Sequence, residues 1–155
     1  MAGSSPDIGR VIELAETAEE LGFGSVWAGD SILARPRLEA LTTLAAVSSR
    51  TRQVKLGTAV LLPALRNPVV LANEVANLDL LSQGRVVLGV GIGSKTPLVQ
   101  KEFASCGVSF NWRVSIYELS LIHISEPTRR YAIGYAVVCV KKKRGGGGGG
   151  GGGGG

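Results

Sequence analysis

Glycine and small polar residues follow three apolar segments of this sequence. They occur as Gly29-Asp30-Ser31, Gly57-Thr58-Ala59 and Gly91-Ile92-Gly93-Ser94. The preceding runs are rich in aliphatic residues, which is typical of buried strands in a parallel sheet. In parallel α/β folds, ligands bind at the carboxyl ends of the strands. The pattern therefore predicts a small-molecule site at that edge, where Asp30 either caps the next segment or contacts the ligand.

The segment GVGIGSKT, residues 89–96, approaches two phosphate-binding patterns and completes neither. The nucleotide phosphate loop requires a glycine directly before Lys95, and the dinucleotide fingerprint requires one at the same position, which is Ser94. A phosphate-binding NTPase remains an alternative, but glycines that allow close backbone approach are the preferred interpretation. Because no carboxylate pair, metal-ligand cluster or nucleophile triad is apparent, the catalytic residues stay unassigned and no metal is expected.

Helical and strand-like segments alternate along residues 4–118. Helical periodicity and end signals predict helices within 4–24, 37–51 and 67–84, with a further helical segment starting within 99–118. Apolar runs predict strands within 24–30, 53–63 and 85–93. This order predicts an α/β fold in which helices connect the strands of a parallel sheet, either open or closed into a barrel.

The formal net charge of +5 arises entirely from the C-terminal segment. Residues 1–118 contain 11 basic and 11 acidic residues. The basic total therefore gives no reason to expect a nucleic-acid or membrane partner. With the single cysteine Cys106, no signal peptide and no long apolar run, residues 1–118 are expected to be cytoplasmic.

Residues 119–155 resemble a translated sequencing-library adapter. LSLIHISEPTR, residues 119–129, matches the translated transposase end and its adapter, and IGYAVVCVK, residues 133–141, resembles the next constant segment. KKKR followed by eleven glycines corresponds to a run of A passing into a run of G. We expect a disordered or artefactual tail at 119–155 after a domain at 1–118, and we assign no function to His123 or the basic run.

Three stretches carry a family resemblance: LAETAEELGFGSVWAGDS, the run from LTTLAAVSSR through GTAVLLPALRNP to GRVVLGVGIG, and EFASCGVSFNWR. Together they resemble the bacterial luciferase-like monooxygenase family over nearly all of residues 1–118. The family includes flavin-dependent monooxygenases and oxidoreductases that use the deazaflavin coenzyme F-420. The resemblance implies a (β/α)8 TIM barrel with the cofactor ring at its C-terminal mouth, a small-molecule substrate and a frequent homo-oligomeric state. It leaves the choice between FMN and coenzyme F-420 open.

The resemblance also implies which residues line the cofactor. They are Asp30, Thr58, Ala59, Val60 and Gly93, and a non-proline cis peptide bond is expected within residues 58–60. Deazaflavin-dependent relatives often have a histidine directly after the acidic residue, where this chain has Ser31. A histidine-assisted hydride transfer is therefore not expected here.

Compared with the family, about three of eight βα units are present. The usual first strand and everything beyond the fourth are absent, so we expect an inactive fragment with exposed strand edges and apolar helix faces. A non-enzymatic interaction module is the alternative function.

Overall fold

The computed structural model describes residues 7–34 and 37–125, together with the backbone of residues 139–140. Helices and strands alternate along the chain. The helices are α1 (Ile8–Glu20), α2 (Ala40–Arg50), α3 (Pro68–Ser82), α4 (Pro97–Ser105) and α5 (Arg113–Ser125), with short 3-10 turns at Pro63–Leu65 and Phe110–Trp112. The strands are β1 (Ser25–Ala28), β2 (Lys55–Thr58), β3 (Val86–Val87), β4 (Gly89–Val90) and β5 (Cys139–Val140).

Residues at the helix ends fix where α1 and α3 begin and end. Asp7 accepts hydrogen bonds from the backbone N–H groups of the first turn of α1, and Asn67 does the same for α3. Pro68 occupies the first turn of α3, where a missing N–H costs nothing. The chain then leaves α3 through Gln83 and Gly84, whose φ angles are 58° and 77°. This left-handed turn is the stop that the glycine predicted.

Strands β1, β2 and β3 form a parallel sheet in the order β1-β2-β3. Ser25 lies opposite Lys55, and Leu56 lies opposite Val86. Helices α2 and α3 connect consecutive strands, so all the carboxyl ends meet at one edge. The predicted α/β order and the parallel sheet are confirmed.

The second and third predicted strands are shorter than the sequence suggested. β2 ends at Thr58 rather than near Pro63, and the segment expected as one strand contains β3 and β4 on either side of Leu88. The apolar run continues in both segments, but the hydrogen-bonded ladder is interrupted after Thr58. Apolar composition predicts that a segment is buried, and Leu88 is fully buried. It does not predict where the hydrogen bonds between strands end.

The core lies between the sheet and helices α2, α3 and α5. Leu56, Leu88 and Val90 are at most 1% exposed and belong to the same apolar cluster as Leu71 and Val75 of α3. Burying a side chain of this size contributes roughly 1.5–3 kcal/mol. On the opposite face of the sheet, the indole of Trp27 packs over Gly57.

Helix α5 runs through the predicted domain boundary after Glu118 without a break. Ile124 is 4% exposed and belongs to the core cluster. Residues 119–125 therefore pack with the domain, and the backbone of β5 pairs with β4. Residues 126–138 and 141–155 of the C-terminal segment lie outside the described residues, so the boundary and the adapter origin stay predictions.

Arg85 closes the amino-terminal end of the sheet. It is 8% exposed, and its guanidinium donates hydrogen bonds to Ser82, Thr51, Val54 and Ser48. All these acceptors are uncharged oxygens, so the group joins the ends of α2 and α3 to the start of β2.

Glu19 makes a second connection at this end. Its carboxylate accepts hydrogen bonds from the backbone N–H groups of Arg52 and Gln53. Partial burial raises the pKa of Glu19, but these hydrogen bonds outweigh it, and the pKa lies below the usual value.

None of the helices within residues 7–34 and 37–125 is long and apolar enough to cross a lipid bilayer.

Candidate functional site

A bulge in the chain after β2 forms the centre of the carboxyl edge. Gly57 lies opposite Val87, but the next bridge joins Leu61 to Val90, so the β2 side contains one more residue than its partner. An extra residue of this kind defines a β-bulge, which bends the strand and often lies beside a functional site. The peptide bond between Ala59 and Val60 is cis, which confirms the expectation for residues 58–60.

Hydrogen bonds on both sides hold the bulge in place. The Ala59 N–H donates to the Ala28 carbonyl at 2.8 Å, and the Leu61 N–H donates to the Gly89 carbonyl at 2.8 Å. The hydroxyl of Thr58 donates to the same Gly89 carbonyl at 2.8 Å, and Thr58 is fully buried. Ala59 and Val60 are exposed. Thr58 therefore fixes the bulge, and Ala59 and Val60 form its surface.

Asp30 joins the loop after β1 to the loop after β2. Its Oδ2 accepts from the Leu62 N–H at 2.9 Å and from Arg66 Nη1 at 2.7 Å, and its Oδ1 accepts from Arg66 Nη2 at 2.8 Å. The carboxylate is 1% exposed. Asp30 does not cap α2, because Glu39 supplies that hydrogen bond. Both oxygens of Asp30 are thus used within the protein.

Arg66 is shared between two carboxylates. Besides Asp30, it donates to Glu39 at 2.8 Å. Burial lowers the pKa of Arg66, but the hydrogen bonds and charges of Asp30 and Glu39 raise it well above its usual value. Arg66 therefore stays charged at any ordinary pH and holds the two loops together.

The loop after β4 brings bare backbone to the other side of the bulge. A β-carbon at Gly91 would lie 3.0 Å from Val60 Cγ2. Gly93 has φ +79°, and a β-carbon there would lie 3.1 Å from Val99 and 3.3 Å from Phe103. The glycines of GVGIGSKT thus allow close packing, as the preferred interpretation expected. Thr96 caps α4 through the Val99 N–H.

Trp27 covers Gly57 on the face of the sheet opposite the helices. The indole of Trp27 occupies the space that a β-carbon on Gly57 would fill and reaches toward Gly89. Trp27 is 51% exposed, and its Nε1 donates to Ser25 Oγ at 2.9 Å. The indole therefore forms an apolar surface over Gly57, close to Gly89.

The five predicted cofactor residues all lie at this carboxyl edge. Ala59, Val60 and Gly93 offer surface to a ligand, whereas the side chains of Asp30 and Thr58 are committed to protein hydrogen bonds. Their contact with a cofactor stays a prediction.

Sequence reasoning missed two residues near the site, Trp27 and Glu102. The pairing of a large residue in β1 with glycine in β2 is a signal that could have indicated Trp27. Glu102 is fully buried and accepts hydrogen bonds from Ser31 and Leu33. Nothing in its local sequence distinguishes it from a solvent-exposed helical glutamate.

The exposed bulge is the surface that the carboxyl edge offers to a ligand. Ala59 and Val60 are exposed, whereas the space beside Gly91 and Gly93 is filled by Val60, Val99 and Phe103. In parallel α/β folds, ligands bind at the carboxyl ends of the strands, so this edge is the candidate ligand site.

Comparison with known proteins gives the family. A sequence model described as luciferase-like monooxygenase matches residues 1–115, and the chain belongs to this family. An F420-dependent glucose-6-phosphate dehydrogenase from Amycolatopsis mediterranei is 47% identical over 90 residues, which is 54% of this chain and 27% of that enzyme. The chain thus spans about a quarter of the length of this curated relative.

Solved structures show the same fold. Monooxygenase RslO1 from Streptomyces bottropensis aligns with a TM-score of 0.67 and 31% identity, over 76% of this chain and 35% of that one. The oxygenating constituent of 3,6-diketocamphane monooxygenase from Pseudomonas putida, in complex with FMN, aligns with a TM-score of 0.63 and 20% identity, over 75% of this chain and 33% of that one. The fold is part of a (β/α)8 TIM barrel. Of these proteins, the dehydrogenase is F420-dependent and the 3,6-diketocamphane monooxygenase component is in complex with FMN.

Proposed function

We propose that this chain forms part of the cofactor-binding wall of an oxidoreductase that uses reduced FMN or coenzyme F-420. The exposed Ala59–Val60 bulge at the carboxyl edge, with Val60 packed against Gly91, is the observation that carries the proposal. Such a cofactor would supply hydride transfer or oxygen activation when bound. The residues named here bind and orient it: Ala59 and Val60 by contact, and Asp30 and Thr58 by fixing the loops.

The proposal includes a small-molecule substrate, a cytoplasmic location and a homo-oligomeric state. The charge balance within residues 1–118 supports the absence of a nucleic-acid or membrane partner. The small-molecule substrate is supported by the relatives, which include an F420-dependent glucose-6-phosphate dehydrogenase and a 5,10-methylenetetrahydromethanopterin reductase.

Titration of the purified chain with FMN, and in parallel with coenzyme F-420, tests the proposal. Quenching of cofactor fluorescence gives the dissociation constant. Gly91→Ala places a methyl group 3.0 Å from Val60. Room for that methyl group requires a displacement of Val60 on the bulge, so the affinity for the cofactor should fall.

Gly24→Ala is the matched control. Gly24 lies before β1 at the other end of the sheet, and a β-carbon there has no atom within 4 Å. The Gly24→Ala variant should bind the cofactor with the same affinity as the unchanged chain. The proposal fails if neither cofactor binds, or if both alanine variants bind equally well.

A further inference from the structure

Glu102 is a fully buried carboxylate at the edge of the site. It lies on α4 and has a relative exposure of 0%. Oε1 accepts hydrogen bonds from Ser31 Oγ at 2.8 Å and from the Leu33 N–H at 3.0 Å. Oε2 is also buried and accepts no hydrogen bond within the described part of the chain. A buried carboxylate is costly unless it is paired, so this arrangement calls for a functional explanation.

Glu102 connects the two loops on either side of the Ala59–Val60 bulge. Ser31 and Leu33 lie just after Asp30, in the loop that follows β1. Helix α4 follows the glycine loop after β4, and Phe103, next to Glu102, packs within reach of Gly93. The carboxylate therefore holds the first loop against the third across the proposed cofactor position.

The hydrogen-bond direction limits what Ser31 can offer a ligand. A serine hydroxyl has one proton, and the proton of Ser31 is donated to Glu102. The lone pairs of Oγ remain, so Ser31 can act toward a ligand only as an acceptor. A negatively charged acceptor behind the hydroxyl strengthens this role. Ser31 is partly exposed, so a ligand can reach it.

We propose that Ser31 accepts a hydrogen bond from an N–H or hydroxyl group of the bound cofactor, and that Glu102 is the positioning residue that fixes Ser31 as an acceptor. FMN and coenzyme F-420 both carry such donor groups. The proposal rests on the proposed cofactor function. It assigns a role to the position where deazaflavin-dependent relatives often have a histidine.

Cofactor titration of five proteins tests the pair: the unchanged chain, Ser31→Ala, Glu102→Ala, Ser31→Ala/Glu102→Ala and Glu102→Gln. FMN and coenzyme F-420 are the probes, and cofactor fluorescence is the signal. Ser31→Ala should weaken binding about five- to tenfold, as expected for loss of one hydrogen bond. Glu102→Ala should weaken it about tenfold. In the Ser31→Ala background, Glu102→Ala should add less than about a further twofold, because it acts through Ser31.

Glu102→Gln separates positioning from general stabilisation. The glutamine keeps an amide oxygen for Ser31 and Leu33, so affinity should return to within about threefold of the unchanged chain. Ser49→Ala and Glu74→Gln are matched controls on exposed helix surfaces. Both should bind the cofactor normally. Circular dichroism confirms that each variant is folded.

Three results overturn the inference. The first is that Ser31→Ala binds the cofactor as well as the unchanged chain does. The second is that the losses of affinity in Ser31→Ala and Glu102→Ala multiply in the double variant. The third is that Glu102→Gln binds no better than Glu102→Ala. Failure of the unchanged chain to bind either cofactor instead overturns the proposed function, and the inference falls with it.

If the variants do not fold, the chemical shift of the Leu33 amide proton in the unchanged chain provides an independent measurement. A hydrogen bond to a carboxylate shifts that proton downfield, and cofactor binding beside Ser31 should move it further. A Leu33 resonance that does not respond to saturating FMN or coenzyme F-420, when that cofactor binds, contradicts the proposal.

Discussion

Replacement of Asp30 by alanine would remove the contact that joins the loops after β1 and β2. The carboxylate is 1% exposed and accepts three hydrogen bonds, two from Arg66 and one from the Leu62 N–H. Removing one partner of a buried pair costs about 3–5 kcal/mol, since the other charge is left without compensation. Arg66 keeps Glu39, and its side chain is 17% exposed. We therefore expect Asp30→Ala to lower the free energy of unfolding by about 3 kcal/mol, the lower end of that range.

Urea unfolding followed by far-UV circular dichroism measures this loss. At constant slope, the transition midpoint falls in proportion to the free energy of unfolding. The corresponding decrease in Tm is roughly 10 °C for a domain of this size.

Glu16→Ala is the control, because it breaks an ion pair at the surface. Glu16 lies 2.8 Å from Arg50, and the two side chains are 29% and 62% exposed. Such an exposed pair is screened by solvent and contributes little to stability. If Asp30→Ala costs no more than Glu16→Ala, the buried pair does not stabilise the loops and the reasoning is refuted.

Two further predictions concern the sheet face and the amino-terminal end. In a Trp112→Phe background, Gly57→Ala should displace the indole of Trp27 and shift its fluorescence emission. Gly24→Ala should leave the emission unchanged. An unchanged spectrum in Gly57→Ala would contradict the packing of Trp27 against Gly57. Glu19→Gln should reduce the free energy of unfolding near pH 7, and the difference from the unchanged chain should shrink as the pH falls below about 4.5. A pKa that is lowered in the folded state stabilises the fold at pH values above the unfolded pKa. This contribution is lost as the pH falls through the folded pKa. A stability difference that stays constant down to about pH 3 would contradict the prediction.

Local sequence determined the order of elements and the edge where the site lies. Helix starts and stops depend on residues within one turn, such as Asn67, Pro68 and Gly84, so they are visible in the sequence. Alternation of long helices with apolar strands requires a parallel sheet, which places Asp30, Ala59 and Gly93 at a common edge.

Contacts between distant residues were decided only by the tertiary structure. Asp30 pairs with Arg66, 36 residues away, and Ser31 binds Glu102, 71 residues away. The division of the third strand and the bulge at Ala59 depend on strand register. Register is set by which side chains and loops fit together, and no window of the sequence contains all the partners. For this reason the family resemblance predicted an edge for cofactor binding, whereas the contacts of Asp30, Thr58 and Glu102 emerged only once the strands were packed.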